Sequence, residues 1–452
     1  MAHASFPNRR DLLRQILLGM GAFTLPNILR LRADAATTPA RHDTSLILLW
    51  QDGGPSHFET FDPKPDAPAE IRAELRSIPT ALPGVHFCEI LPRLARMAHQ
   101  FSIIRSLHQA SADHGSGTHT VITGYDRTGV IEIDPPEHPD LGAVIHRMRS
   151  GEEGRLPQFV ALGAEGVSPR GGTAYLGPRD RAFGVLGDPS QPDFRVENLQ
   201  RPAAISTQRM GERMSLLGEF DNLRRDIDSS GQMQAMDRFQ QRAYDLLSSP
   251  AAARAFDLQR EDPRLRERYG LHKAGQQALL ARRLVEAGVS VVAVVFVPDA
   301  NGDGTGTHWD DHPTSGHIFK MMQRRGPLFD QALSALLEDL GNRGLDRQVL
   351  VVVAGEFGRT PRIRHLNGVP GRDHWPAAAC ALVYGGGFRM GQVIGATNGR
   401  GQYPVQRPLK PQDLLATIYQ HMGIDTRHEF LSFAGRPFPI LPYGEPIREL
   451  VG

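Results

Sequence analysis

Six short aliphatic runs constrain this chain more than anything else in it. Ser45–Trp50, Phe101–Leu107, Gln158–Leu162, Val289–Val297, Gln348–Val353 and Ala379–Tyr384 are built from valine, isoleucine, leucine and alanine, with few polar residues between them. An amphipathic strand alternates; a run that stays apolar is buried on both faces. Helical patterns lie between many of the runs, at Leu91–His99, Leu141–Arg149 and Ile318–Gly341. Strands alternating with helices predict an α/β fold, a mostly parallel central sheet with helices on both faces. From about Thr207 to Ala287 the sequence turns polar, rich in Arg, Glu and Gln, and lacks a strand signal. That stretch reads as a helical insertion packed on the same domain.

The N-terminus reads as an address. Arg9 and Arg10 precede Leu12, Leu13 and Arg14, then an apolar stretch from Ile16 to Leu29, broken by glycines and Pro26. This pattern is similar to a twin-arginine signal peptide, with a small-residue cleavage site at Ala33-Asp34-Ala35. A membrane anchor is the competing reading, but the stretch falls short of the roughly 20 apolar residues that cross a bilayer. The expected organisation is therefore a signal peptide at 1–35 and one domain at 36–452. The twin-arginine translocase is the partner during export, the destination is periplasmic or secreted, and the mature chain has no membrane span. Five arginines and two aspartates in residues 1–35 carry +3 of a whole-chain net charge of +1, leaving residues 36–452 near −2. No basic excess remains to neutralise a phosphate backbone, so nucleic acid is not an expected partner. The two cysteines, Cys88 and Cys380, rule out a cysteine-rich metal site, and whether they pair stays open.

Ligand sites of parallel sheets form beyond the carboxyl ends of the strands. The residues just past each run are chemically repetitive. The first run ends in Trp50-Gln51-Asp52-Gly53-Gly54; the second leads to Asp113-His114-Gly115-Ser116-Gly117-Thr118-His119. The run ending at Val297 leads to His308-Trp309-Asp310-Asp311-His312, and VLVVVA leads to Glu356-Phe357-Gly358-Arg359 and then Arg372-Asp373-His374-Trp375. Carboxylates and imidazoles gathered at one sheet edge suit a divalent metal. Asp310 and His312 share one side of an extended segment and form the favoured pair there. Bland readings stand beside these: Asp52 as a strand-ending turn residue, Asp113 or Ser116 as a helix cap beside His114, and Glu356 as the salt-bridge partner of Arg359. Asp373-His374 reads as a pair in which the carboxylate orients the imidazole. Arg105 and Arg359 are candidates for gripping an anion, or equally for salt bridges. A rival motif, Asp299-Ala300-Asn301-Gly302-Asp303-Gly304 with Asp310 at the twelfth place, has calcium-loop spacing but comes after a strand, not a helix.

Taken in order, GGPSHFETFDPKPDAPAEIR, LPGVHFCEILPRLARM, THTVITGY, HWDDH and GEFGRTPRI followed by GRDHWP resemble the exported bacterial family called domain of unknown function 1501. The resemblance runs through nearly the whole mature chain. That family is similar to the alkaline phosphatase and sulfatase superfamily, which implies metals at the carboxyl edge of a parallel sheet. The resemblance assigns Asp52, Asp310, His312, Glu356 and His374 to metal positions. It places His114 where the superfamily carries its nucleophile, so His114 joins the candidate metal ligands, with Ser116 or Thr118 as nucleophile only if the register shifts. Phe357 stands where a histidine ligand would be expected. Neither cysteine lies in the sulfatase formylglycine motif. The implied function is a metal-dependent, hydrolase-like protein acting on phosphate or sulfate esters, small-molecule or glycan, with zinc, manganese, iron or calcium as the ion. Two alternatives remain: a non-catalytic relative that binds a sulfated or phosphorylated glycan or an envelope partner, and a calcium-stabilised structural protein.

Overall fold

The computed structural model describes residues 44–72, 74–127, 136–149, 156–164, 166–196, 249–298 and 308–452. The leader and its cleavage site, the whole Asp299–Gly304 run of the calcium-loop motif and the first part of the helical insertion lie outside them. Among the described residues, no helix is long and apolar enough to cross a membrane.

The unit Asp43–Gly452 is organised on an eight-stranded sheet. In chain order its strands are β1 (Ser45–Trp50), β2 (Ser102–Leu107), β3 (Phe159–Leu162), β4 (Phe183–Val185), β5 (Val291–Val295), β6 (Val349–Ala354), β7 (Ala379–Gly385) and β8 (Val393–Ile394). Across the sheet the order is β8-β2-β7-β6-β1-β5-β3-β4. Every pairing is parallel except the two made by β7, which runs antiparallel between β6 and β2. All six expected strands are present. β4 and β8 are additional to them, since runs of three and two residues carry too little pattern to read.

The uniform apolarity of the central strands has the expected cause. Along β1, Ile47 and Leu49 enter one core while Leu46, Leu48 and Trp50 enter the other. In β6, Val349, Val351 and Val353 alternate in the same way with Leu350, Val352 and Ala354. Successive side chains point to opposite faces, so both faces need cover. The first core is covered by helices α1 (Pro92–Arg96), α6 (Lys273–Glu286) and α7 (Ile318–Asn342). The second is covered by α3 (Leu141–Met148) and α8 (Pro411–His421). Helix α2 (His114–Thr123) comes after β2 at the sheet edge. In the insertion, α4 (Pro250–Phe256) and α5 (Pro263–Tyr269) precede α6, and Ala252, Phe256 and Tyr269 feed the first core. Cys88 and Cys380 are free thiols, and burial raises both far above the ordinary thiol range.

The reversal of β7 positions the site. Asp52, His114, Asp310 and Glu356 come after their strands, whereas His374 precedes β7. Because β7 runs backwards, its start lies at the edge where its parallel neighbours end, and the loop before it joins the loops after them.

Candidate metal centre

The Gly53-Gly54 turn makes room for the centre. Gly53 adopts φ +106°, and a Cβ there would stand 2.7 Å from the Asp310 nitrogen and 2.8 Å from that of Trp309. Only glycine lets the 308–312 segment lie this close. That segment is pinned at its odd-numbered positions. Trp309 is buried, donates from Nε1 to the Phe296 carbonyl (2.9 Å) and from its backbone to the Asp52 carbonyl (2.8 Å). Asp311 forms a buried two-pronged pair with Arg325 of α7 (2.9 and 3.1 Å), whose guanidinium sits 4.9 Å over the Trp309 ring. With 309 and 311 facing the core, Asp310 and His312 face the opposite way, as extended backbone requires.

His114 opens α2, capped by Asp113, whose Oδ1 accepts the Ser116 N–H at 2.9 Å. Glu356 leaves β6 and is buried. Its Oε1 accepts from the Gly53 N–H (2.9 Å) and from His114 Nδ1 (2.8 Å), and its Oε2 is buried with no hydrogen-bond partner. A short antiparallel pairing of Gly358–Arg359 with His374–Trp375 sets His374 opposite Arg359. His374 Nδ1 donates to the Ala112 carbonyl at 2.6 Å. His312 Nδ1 donates to Asp373 Oδ1 at 2.8 Å. Asp373 is therefore an orienting carboxylate, but for His312, and not for its chain neighbour His374 as adjacency in the sequence suggests.

The three imidazoles obey one rule. Each commits Nδ1–H to an acceptor, which leaves an Nε2 lone pair on each neutral ring. The Nε2 atoms of His312 and His374 are 2.9 Å apart, and both lie near Asp310 Oδ1, at 2.9 and 3.0 Å. His114 Nε2 is 3.4 Å from Asp310 Oδ2. Lone pairs and a carboxylate cannot face one another at these distances unless a proton or a cation sits among them. Donor atoms of His114, Asp310 and His374 all fall within 4.8 Å of one another. These side chains and His312 are 19–23% exposed, open enough to admit an ion from solvent.

Electrostatics obey the same geometry. Burial disfavours charge on His114, but hydrogen bonds to Asp310 and Glu356 outweigh it and lift its pKa to about 9. Asp310, although partly buried, is held far below the carboxylate range by the three histidines and Arg359. Asp52 is raised, first by burial and then by repulsion from Glu356. It stands at the rim, accepting from Trp50 Nε1 (3.2 Å) and Arg170 Nη1 (3.1 Å).

The remaining sequence candidates lie elsewhere or play other parts. Arg105 is away from the centre, bonded to the His86 carbonyl (2.8 Å) and 3.5 Å from Asp62. Arg359 is fully buried. It spends its donors on the carbonyls of Gly53, Gly54, Trp309 and Arg372 and on Asp310 (2.6 Å), so it has no face to offer an anion. Arginine in that sequence position gives no hint of burial, because the carbonyls it serves come from distant loops. Ser116 and Thr118 are buried on α2. Phe357 packs beneath the imidazoles, 4.4 Å from His374 and 5.3 Å from His114 between ring centroids. Sequence reading missed Arg170, on the turn after β3. The Pro169-Arg170-Gly171-Gly172 run at a strand's carboxyl end was the signal available.

Residues 43–451 match the family described as Protein of unknown function (DUF1501), and the chain belongs to that family. No curated protein matches. Among solved structures it is similar to a phosphonate monoester hydrolase from Silicibacter pomeroyi, with 13% identity, TM-score 0.35, and 86% of this chain and 76% of that one covered. It is similar also to a sulfatase from Pseudoalteromonas sp., with 11% identity, TM-score 0.36, and 87% and 70% covered. A third is the lipoteichoic acid synthase LtaP from Listeria monocytogenes, with 9% identity, TM-score 0.36, and 86% and 73% covered.

Proposed function

We propose that this DUF1501 protein is a metal-dependent, hydrolase-like protein that acts on phosphate or sulfate esters in the cell envelope. The observation that carries the reading is the convergence of three Nδ1-tethered imidazoles on Asp310, which leaves a set of lone pairs that a divalent cation satisfies. His114, Asp310 and His374 would hold the ion. His312 Nε2, 2.9 Å from both Asp310 Oδ1 and His374 Nε2, would be a further ligand, and Glu356, with its buried free oxygen, backs His114. A donor set this rich in imidazole suits zinc, manganese or iron, whereas calcium takes oxygen ligands. When bound, such an ion supplies Lewis acidity toward a phosphoryl or sulfuryl oxygen and acidifies a water. The chain's part is to fix ring orientation through Glu356, Asp373 and the Ala112 carbonyl, and to keep the floor dry with Phe357.

Metal analysis of the purified protein, then ester hydrolysis before and after chelation, tests this. The expected result is a stoichiometric transition metal, turnover lost on its removal and restored on its return. Turnover indifferent to complete metal removal rules the mechanism out.

Phe357 favours a second reading, a non-catalytic relative that uses the same centre to bind a sulfated or phosphorylated glycan, because a phenyl ring occupies a position where a further ligand is expected. Stoichiometric metal with glycan binding and no turnover across an ester panel selects it. The envelope assignment rests on residues 1–35. Replacing Arg9 and Arg10 by lysine should hold the protein in the cytoplasm; undiminished export rules out the twin-arginine route, and an unmodified protein found in the cytoplasm disproves the envelope assignment.

A further inference from the structure

We infer that Arg170 and Arg364, and neither of the arginines suggested by sequence, are the guanidiniums that hold the tetrahedral anion of the ester, a phosphoryl or sulfuryl group. The inference rests on the proposed ester-hydrolase reading and names the residues that select its substrate class.

Both arginines are tied to the centre through a carboxylate that faces it. Arg170 Nη1 lies 3.1 Å from Asp52, and Arg364 Nη1 lies 3.1 Å from both oxygens of Asp373, the carboxylate that orients His312. They arrive from opposite flanks of the sheet edge. Arg170 comes after β3, on the β5 side of β1, and Arg364 lies between β6 and β7. Their side chains are 34% and 51% exposed, against 0% for Arg359. Among the described residues, the other donors on each fork have no protein partner, so each can pair with an anion without giving up its carboxylate.

The turn that carries Arg170 is built, not loose. Asp140 is fully buried; its Oδ2 accepts the Val167 N–H at 3.3 Å, and its own N–H donates to the Gly172 carbonyl at 2.9 Å. Ser168 Oγ accepts the Arg170 N–H at 3.1 Å, and a Cβ on Gly171 would fall 2.6 Å from Asp140 Oδ2. The same Asp140 caps α3, its Oδ1 accepting the Ala143 N–H at 2.9 Å, so the Arg170 turn is anchored to the start of that helix.

Charge balance points the same way. Asp52, Asp310, Glu356 and Asp373 set four carboxylates against the three guanidiniums of Arg170, Arg359 and Arg364. With a divalent cation bound and the imidazoles neutral, as ligation requires, the edge holds a surplus of one positive charge, which an anionic ester group would offset.

Isothermal titration of inorganic phosphate, and separately of inorganic sulfate, into purified protein of measured metal content tests the assignment, with Arg170→Gln, Arg364→Gln and Arg170→Lys alongside. The preferred anion should bind at least tenfold more weakly to each glutamine variant, with melting temperature and metal stoichiometry unchanged, and Arg170→Lys should recover part of the loss. Which anion binds more tightly distinguishes a phosphoryl from a sulfuryl substrate. Affinity within twofold of the unmodified protein in both glutamine variants overturns the inference, as does failure of the unmodified protein to bind either anion. Should the protein take up no metal yet show arginine-dependent anion binding, the metal reading falls and this one stands.

Discussion

Gly53→Ala probes whether the close approach of the Gly53 turn to the 308–312 segment builds the centre. Two costs combine at this position. The backbone sits at φ +106°, which an L-residue adopts at a cost of about 1–3 kcal/mol. The new Cβ would also stand 2.7 Å from Asp310 N, 2.8 Å from Trp309 N and 3.0 Å from Trp309 C, all backbone atoms that cannot swing aside. Overpacking of this kind costs about 1–3 kcal/mol more. Gly84 supplies the control, with φ +74° and nothing within 4 Å of a Cβ. Gly84→Ala should therefore show the conformational cost alone, and Gly53→Ala should exceed it by the crowding cost in a urea titration. The discriminating readout is metal affinity. The only relief open to the segment is to move away from the turn, which carries Asp310 and His312 with it. Gly53→Ala should lose tenfold or more in metal affinity, and Gly84→Ala none. A Gly53→Ala protein that unfolds like Gly84→Ala and binds metal normally refutes the reasoning.

Three other perturbations have expected outcomes on the same geometry. Asp373→Asn removes the carboxylate that fixes the His312 ring and should weaken metal binding about 10- to 100-fold in a competition titration with a chelator, at little cost in stability. Asp311→Ala strands the buried Arg325 guanidinium and should destabilise by about 3–5 kcal/mol in urea, while Asp311→Leu with Arg325→Met recovers most of it; equal stability of Asp311→Ala and the parent protein would show that the pair is not needed. His421 is buried beneath the Ser45 carbonyl, and burial lowers its pKa to about 4. The unfolded chain takes up that proton near pH 6.5 and the folded chain does not, so stability is lost as pH falls from about 6.5 to about 4, on the order of 3 kcal/mol from this group. His421→Gln should flatten the fall in urea midpoint over that window, and an unaltered slope counts against it.

Much of the frame is legible in the amino-acid order. The six aliphatic runs announce themselves because a strand covered on both faces has no polar positions, and that leaves a mark in the one-dimensional chain. Asp52, His114, Asp310, His312, Glu356 and His374 can be nominated because a parallel sheet delivers its strand ends to one edge. His374 is harder, since it precedes its strand; it joins the others because β7 runs backwards, and strand direction leaves no trace in composition. For Arg359 and Arg105 the sequence leaves anion binding and salt bridging equally open, and both are found in salt bridges. An arginine reads as a surface cation, yet Arg359 is walled in by carbonyls from distant loops and Arg105 reaches away toward Asp62.

The sequence alone determined the layered α/β plan and the kinds of donor atoms at one edge, because burial and periodicity act locally on every residue. The tertiary structure decided which nitrogen of each histidine is committed, which carboxylate orients which ring and which arginines reach solvent. Those choices depend on hydrogen bonds between residues about three hundred positions apart, such as Gly53 to Glu356, and no local rule reaches that far.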